Sequence, residues 1–162
     1  MAADIHGHRD EFRQVLRDAG LVDSTGRWSA GTARLWLLGG YVDRGPDGVG
    51  VGVIDDVRRL ADEADAAGGH TGALPGNHEA QLLAAHRFGD ASVTGGKEPG
   101  GFRGGWARFG GREDDLRRIT PEHVNWLNDL PAVALVDDHL LIHSDTTRCK
   151  IISPHPVRPP TP

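Results

Sequence analysis

Residues 33–45 read ARLWLLGGYVDRG. A short apolar run that closes on glycine is the pattern of a buried strand, and the loop after it carries Asp43 and Arg44. Working outward, Phe12, Val15, Leu16 and Ala19 stand at offsets 0, 3, 4 and 7 within Arg9 to Ala19, which predicts one helix face. Asp4, His6 and Gly7 therefore fall just before a helix N-terminus. On the other side, Val53, Ile54, Val57, Leu60 and Ala61 recur at near-helical spacing across Val49 to Ala67, and Gly68-Gly69 supplies the stop. Residues 70–79, HTGALPGNHE, read as a second short strand opening into a loop, with EAQLLAAH beginning the next helix. Strand, loop and helix in repetition predict an α/β layered fold, with functional groups at strand ends.

Residues 88–112 hold nine glycines with Phe102, Trp106 and Phe109 among them. The expectation is a long ordered loop, because the aromatic residues provide packing that a flexible linker lacks. Thr120-Pro121 fits an N-cap followed by proline at the first helical position, opening EHVNWLNDL. AVALVDDHLLIHSD, residues 132–145, reads as two strands joined at Asp137-Asp138. Residues 153–162 contain five prolines, which excludes helix and central strand. The division expected is one domain over 1–150 and a proline-rich, disordered tail over 151–162.

Composition narrows the function. The chain has 162 residues and a formal charge of -5, with no cluster of Lys and Arg to mark a nucleic-acid or anionic-membrane partner. Cys149 is the only cysteine, so an intramolecular disulfide and a Cys-rich zinc module are excluded. The first residues lack the basic and apolar regions of a signal peptide, and no stretch reaches the ~18 apolar residues of a membrane span. These readings predict a cytoplasmic protein. Nine histidines direct attention to metal or acid–base chemistry.

Four short stretches place metal-type ligands at the ends of expected strands: Asp4-Ile5-His6-Gly7, Asp43-Arg44-Gly45, Gly76-Asn77-His78-Glu79 and His143-Ser144-Asp145. Singly, each reads as an ordinary turn or surface histidine. In this order and spacing, as ADIHG, GGYVDRG, GNHE and LLIHSD, they resemble the metallophosphoesterase superfamily, and within it the bacterial serine/threonine phosphoprotein phosphatase-like (calcineurin-like) phosphoesterases. The resemblance covers residues 3 to about 148. It implies a central mixed sheet flanked by helices, and two divalent ions that activate a water for in-line attack on a phosphate ester. Manganese is the metal expected, with iron or zinc also suited to the Asp, His and Asn donors. By motif match, Asp4 and His6 would hold one metal, and Asn77 and His143 the other. His78 would be the general acid, held in orientation by Asp43. Arg44, together with Asn77, would bind the substrate phosphate. Glu79 has a plainer reading as a charge favoured at a helix N-terminus.

The chain departs from that pattern in three places. Gly40 stands where the family carries its bridging aspartate, so the shared anionic ligand between two mutually repelling cations is missing. A further family histidine beyond the fourth motif has no counterpart, and His155 in the tail matches no motif. Only Met1-Ala2-Ala3 precede Asp4, where the fold resembled places a core strand of ~5 to 6 residues. The expectation is a layered fold incomplete at both ends, as a truncated or shifted reading of a longer gene would produce. Two functions follow. One is a metal-dependent phosphoesterase acting on phosphate monoesters, among them protein phosphoserine and phosphothreonine. The other is a degenerate member that binds metal or a phosphorylated ligand with little turnover.

Overall fold

The computed structural model of the chain describes residues 1–46, 49–92 and 99–144. The proline-rich tail, Cys149 and Asp145 lie outside the described residues, as do 93–98 of the glycine-rich segment.

The elements run α1 (Arg9–Asp18), β1 (Arg34–Leu37), α2 (Gly50–Ala66), β2 (His70–Ala73), α3 (Asn77–Phe88), α4 (Gly101–Arg108), α5 (Glu113–Arg118), α6 (Pro121–Asp129), β3 (Val133–Val136) and β4 (His139–Ile142). The class is α/β, as the alternation of patterns indicates. β1 and β2 pair in parallel, with Leu35 opposite Thr71 and Leu37 opposite Ala73, and α2 forms the crossover between them. β3 and β4 form an antiparallel hairpin turned at Asp137-Asp138. The mixed character is thus divided, among the described residues, between two small sheets.

α2 is the core helix. Val53, Ile54, Val57 and Leu60 are fully buried in the core cluster that also holds Leu35 and Leu37 of β1, and the helix packs along β2. Asp56 lies on the same helix and is also buried. It accepts paired hydrogen bonds from Arg9, at 2.7 and 3.0 Å, and from Arg13, at 2.8 and 2.9 Å. Burial alone would raise its pKa, but the two guanidinium groups more than offset that and hold the carboxyl below the usual range. α1 is thereby fastened to α2 by two bidentate ion pairs as well as by Phe12 and Leu16.

Two sequence expectations change. Val15, placed on the inner face of α1, is 58% exposed. Phe12 and Leu16 reach the core, whereas Val15 borders an open groove between α1 and the first residues of the chain. Those first residues touch β1 at one isolated bridge, where Ala2 stands opposite Leu37, donating to Trp36 O at 3.0 Å and accepting from Leu38 N at 2.8 Å. Finally, the glycine-rich segment contains helix α4. Glycine disfavours helix by about 1 kcal/mol per residue, but Trp106, at 1% exposure, anchors this one.

Candidate active site

The four motifs meet where β1 and β2 end. After Ala2 the chain continues beside the β1 loop. Asp4 N–H donates to Gly39 O at 3.0 Å, His6 N–H to Gly40 O at 2.8 Å and Gly7 N–H to Tyr41 O at 2.8 Å. Ile5 between them enters the core. Asp4 and His6 are set at φ +54° and +48°, and Asp43 and Arg44 at +68° and +60°. Non-glycine residues in this left-handed region cost energy, and they collect where surrounding structure fixes a functional geometry. Gly39 and Gly40 share the conformation, at +93° and +74°.

The β1 and β2 loops are tied together by Glu79. This side chain is fully buried in the first turn of α3. Its carboxylate accepts backbone N–H bonds from Gly40 at 2.9 Å, Tyr41 at 2.7 Å, Val42 at 3.3 Å and Gly76 at 2.6 Å. A charge at a helix N-terminus thus becomes a clasp on four otherwise unpaired amides. The Tyr41 hydroxyl completes the join, lying 2.7 Å from Leu74 O and 3.1 Å from Leu37 O at the strand ends.

Three histidines are set in the same way. His6 Nδ1 lies 3.1 Å from Val42 O, His143 Nδ1 2.6 Å from Leu38 O, and His78 Nδ1 2.8 Å from Asp43 Oδ2. Each partner is an acceptor, so each Nδ1 carries the hydrogen and each Nε2 is left for the site. The His6 and His78 rings meet edge to face with centroids 4.6 Å apart.

His6 Nε2 stands 3.5 Å from Asp4 Oδ1 and 3.4 Å from Arg44 Nη1. His143 Nε2 stands 3.0 Å from Asn77 Oδ1. In the second pair two acceptors face each other, an arrangement that a cation or a proton between them satisfies. With bonds of about 2.1 Å, two ligands of one ion stand roughly 3.0 to 3.4 Å apart, so both pairs suit a divalent ion by spacing and donor type. Among the described residues, no group of three or more His, Cys, Asp or Glu side chains is placed to hold a metal. Gly40 lies close to both pairs. A Cβ built on it would lie 2.9 Å from Asp4 Oδ1, while one built on Gly76 would lie 2.8 Å from both Gly40 N and His143 Nε2. Gly40 thus lies between the two pairs and contributes no side chain. The named donors fit an ion at each end by spacing and type.

Asp43 and His78 are buried together. Burial pushes the Asp43 carboxyl up to about 7, against the hydrogen bond donated by the Trp106 indole at 2.9 Å and with the added repulsion of Asp115 and Glu79. Burial also lowers the His78 pKa, and His6 and Arg44 add to the effect. The two shifts oppose a separated ion pair, whereas the 2.8 Å contact and the indole favour one. The direction that stands is a low-basicity His78, because burial acts on it first and the neighbouring His6 and Arg44 act in the same sense.

Three residues with a part in this site have weak or no sequence signals. Trp106 stands out only as an aromatic residue within a glycine run. Asp115 is one of three consecutive acidic residues, yet it alone is buried, accepting from Asp43 N at 3.4 Å and Val51 N at 3.2 Å. Glu79 is legible as a helix-terminal charge but not as the clasp. Arg44 is exposed, with its backbone N–H on Gly110 O at 2.9 Å, so its guanidinium faces the surface beside His6.

A family model described as calcineurin-like phosphoesterase matches residues 1–158. Shewanella-like protein phosphatase 2 of Arabidopsis thaliana is 36% identical over 76 residues, covering 47% of this chain and 19% of that protein. Among solved structures, a single-site mutant of a cold-active protein tyrosine phosphatase superposes with a TM-score of 0.58 at 25% identity, covering 82% of this chain and 37% of that one. The cold-active protein-tyrosine phosphatase of a psychrophilic Shewanella species gives 0.56 at 23% identity, over 82% and 37%, a likeness of fold. The chain therefore spans about a fifth of the curated relative and little more than a third of the solved structures. No helix among the described residues is long and apolar enough to cross a membrane.

Proposed function

The chain belongs to the calcineurin-like phosphoesterase family, matched over residues 1–158, and from that membership we propose that it hydrolyses phosphate monoesters, with phosphorylated protein side chains as the substrate class. The names of its relatives, a protein phosphatase and tyrosine phosphatases, support that class. The observation that carries the reading is the buried Asp43–His78 pair at 2.8 Å beside the Arg44 guanidinium.

In this reading Arg44 binds the non-bridging phosphate oxygens, a task suited to a guanidinium that donates paired, charge-assisted hydrogen bonds. Asn77, exposed at the start of α3, donates its amide to the same group. Asp43 holds Nδ1 of His78, so the proton for the leaving alkoxide is given from Nε2. Asp4 with His6, and Asn77 with His143, would hold divalent metal, manganese first and iron or zinc as alternatives. When bound, the metal neutralises phosphate charge and acidifies the attacking water. The cytoplasm is the compartment that the lone cysteine favours.

The experiment is turnover of p-nitrophenyl phosphate with added Mn²⁺, for the natural chain and for His78→Ala. A general acid contributes about 10²–10⁴-fold, and a loss in that range is the expected result. A natural chain with no metal-dependent rate above His78→Ala refutes catalysis. Gly40 favours a second reading in that event, a phosphate-ester binder without turnover. Its mark would be vanadate binding abolished by Arg44→Ala.

A further inference from the structure

We infer that Trp106 is a positioning residue for proton delivery: its indole N–H holds the Asp43 carboxylate in the one orientation that keeps His78 aligned. The inference rests on the proposed role of the Asp43–His78 pair.

The Asp43 side chain has no solvent exposure. Its two oxygens are divided between two partners, Oδ2 on His78 Nδ1 at 2.8 Å and Oδ1 on Trp106 Nε1 at 2.9 Å. Rotation about the last torsion of aspartate is soft, so one hydrogen bond alone would leave the carboxylate free to swing. Anchoring the second oxygen removes that freedom. Asp115 fixes the other end of the residue by accepting from the Asp43 backbone N–H at 3.4 Å. Backbone and carboxylate of one aspartate are thus gripped by two residues remote in sequence.

The indole is itself seated. Trp106 is 1% exposed on α4, which packs along α3, the helix that carries His78. Its backbone carbonyl accepts from Phe109 N at 3.0 Å and Gly111 N at 3.1 Å, which ends the helix directly beneath the ring. A Cβ added at Gly111 would collide with the indole, so the chain turns through glycine to make room for it. A helix built on three glycines in eight residues has poor intrinsic stability, and the feature that repays its formation is the burial of this side chain.

Trp106→Phe tests the assignment, because it keeps a buried aromatic ring and removes the N–H donor. Turnover is compared, with Mn²⁺ present, on p-nitrophenyl phosphate and on phenyl phosphate. The poorer leaving group of phenyl phosphate depends more on the protonated histidine. A fall in kcat of about tenfold on phenyl phosphate, part of the roughly 10²–10⁴ that an acid group supplies, is expected with a clearly smaller fall on p-nitrophenyl phosphate and KM unchanged for both. Equal losses on the two substrates, or a change confined to KM, overturn it. A second measurement stands apart from activity, and so from the hydrolase reading. In the metal-free natural chain the Trp106 indole N–H should resonate downfield and exchange slowly with solvent. Exchange as fast as that of Trp28, whose exposed indole bonds Gly31 O at 3.0 Å, overturns the inference even if the variant does not fold.

Discussion

Replacing Gly40 by alanine separates two costs that the structure assigns to that position. The first is conformational: φ is +74°, and the left-handed region costs a residue with a Cβ about 1–2 kcal/mol. The second is steric. The new Cβ would lie 2.9 Å from Asp4 Cα and Oδ1 and 3.1 Å from Asp4 N, and the contacting backbone is held by the Asp4 N–H bond to Gly39 O. Overpacking of that kind costs about 1–3 kcal/mol. The sum is about 2–5 kcal/mol, which for a chain of this length lowers Tm by roughly 10 °C. Gly20→Ala is the control, since Gly20 has φ +67° with nothing within 4 Å and pays only the first cost, about 4 °C. Thermal unfolding followed by circular dichroism, at fixed pH and without metal, measures both. A Gly40→Ala variant no less stable than Gly20→Ala would refute the steric part of the reasoning.

The same position answers the metal question through Gly40→Asp. Its carboxylate would stand beside Asp4, destabilising the metal-free chain, and Mn²⁺ should then raise its Tm by more than it raises that of the natural chain; an equal rise would show that no shared site forms. Glu79→Gln should cost about 2 kcal/mol in urea unfolding, because an amide has one acceptor oxygen for the four backbone donors and adds an unpaired NH₂; an unchanged midpoint would remove the clasp from the account. Asp56 predicts an acid limb of stability. Its folded pKa is depressed, so its contribution is complete above the ordinary aspartate value of about 3.9 and is lost as pH falls through the lower folded value. Asp56→Asn should flatten that limb, and identical pH profiles for the two chains would contradict it.

The fold was legible wherever one periodicity held. The apolar run into Gly39, the spacing of Val53 through Leu60 and the Thr120-Pro121 start each depend on neighbours a few residues apart, and each produced its element. The glycine-rich segment misled, because its helix is decided by Trp106 reaching Asp43, 63 residues away in sequence. Val15 misled for the opposite reason: its helix face is correct, but what covers that face is a tertiary matter. In the site, the motif residues could be named, and the structure brings them together in pairs. What fixes them could not be read. Asp115 follows two other acidic residues, Glu113 and Asp114, and only the fold selects which of the three is buried.

Asp4, His6, Asp43 and Arg44 all occupy left-handed backbone, and this changes what a scanning experiment at these positions measures. Alanine there removes the functional group and also exchanges one conformational penalty for another, so a loss of activity mixes chemistry with misplacement of the loop. Glycine accepts the same φ without a Cβ. For these four residues it is the appropriate baseline, and the difference between the glycine and alanine variants reports how much of each phenotype belongs to the backbone.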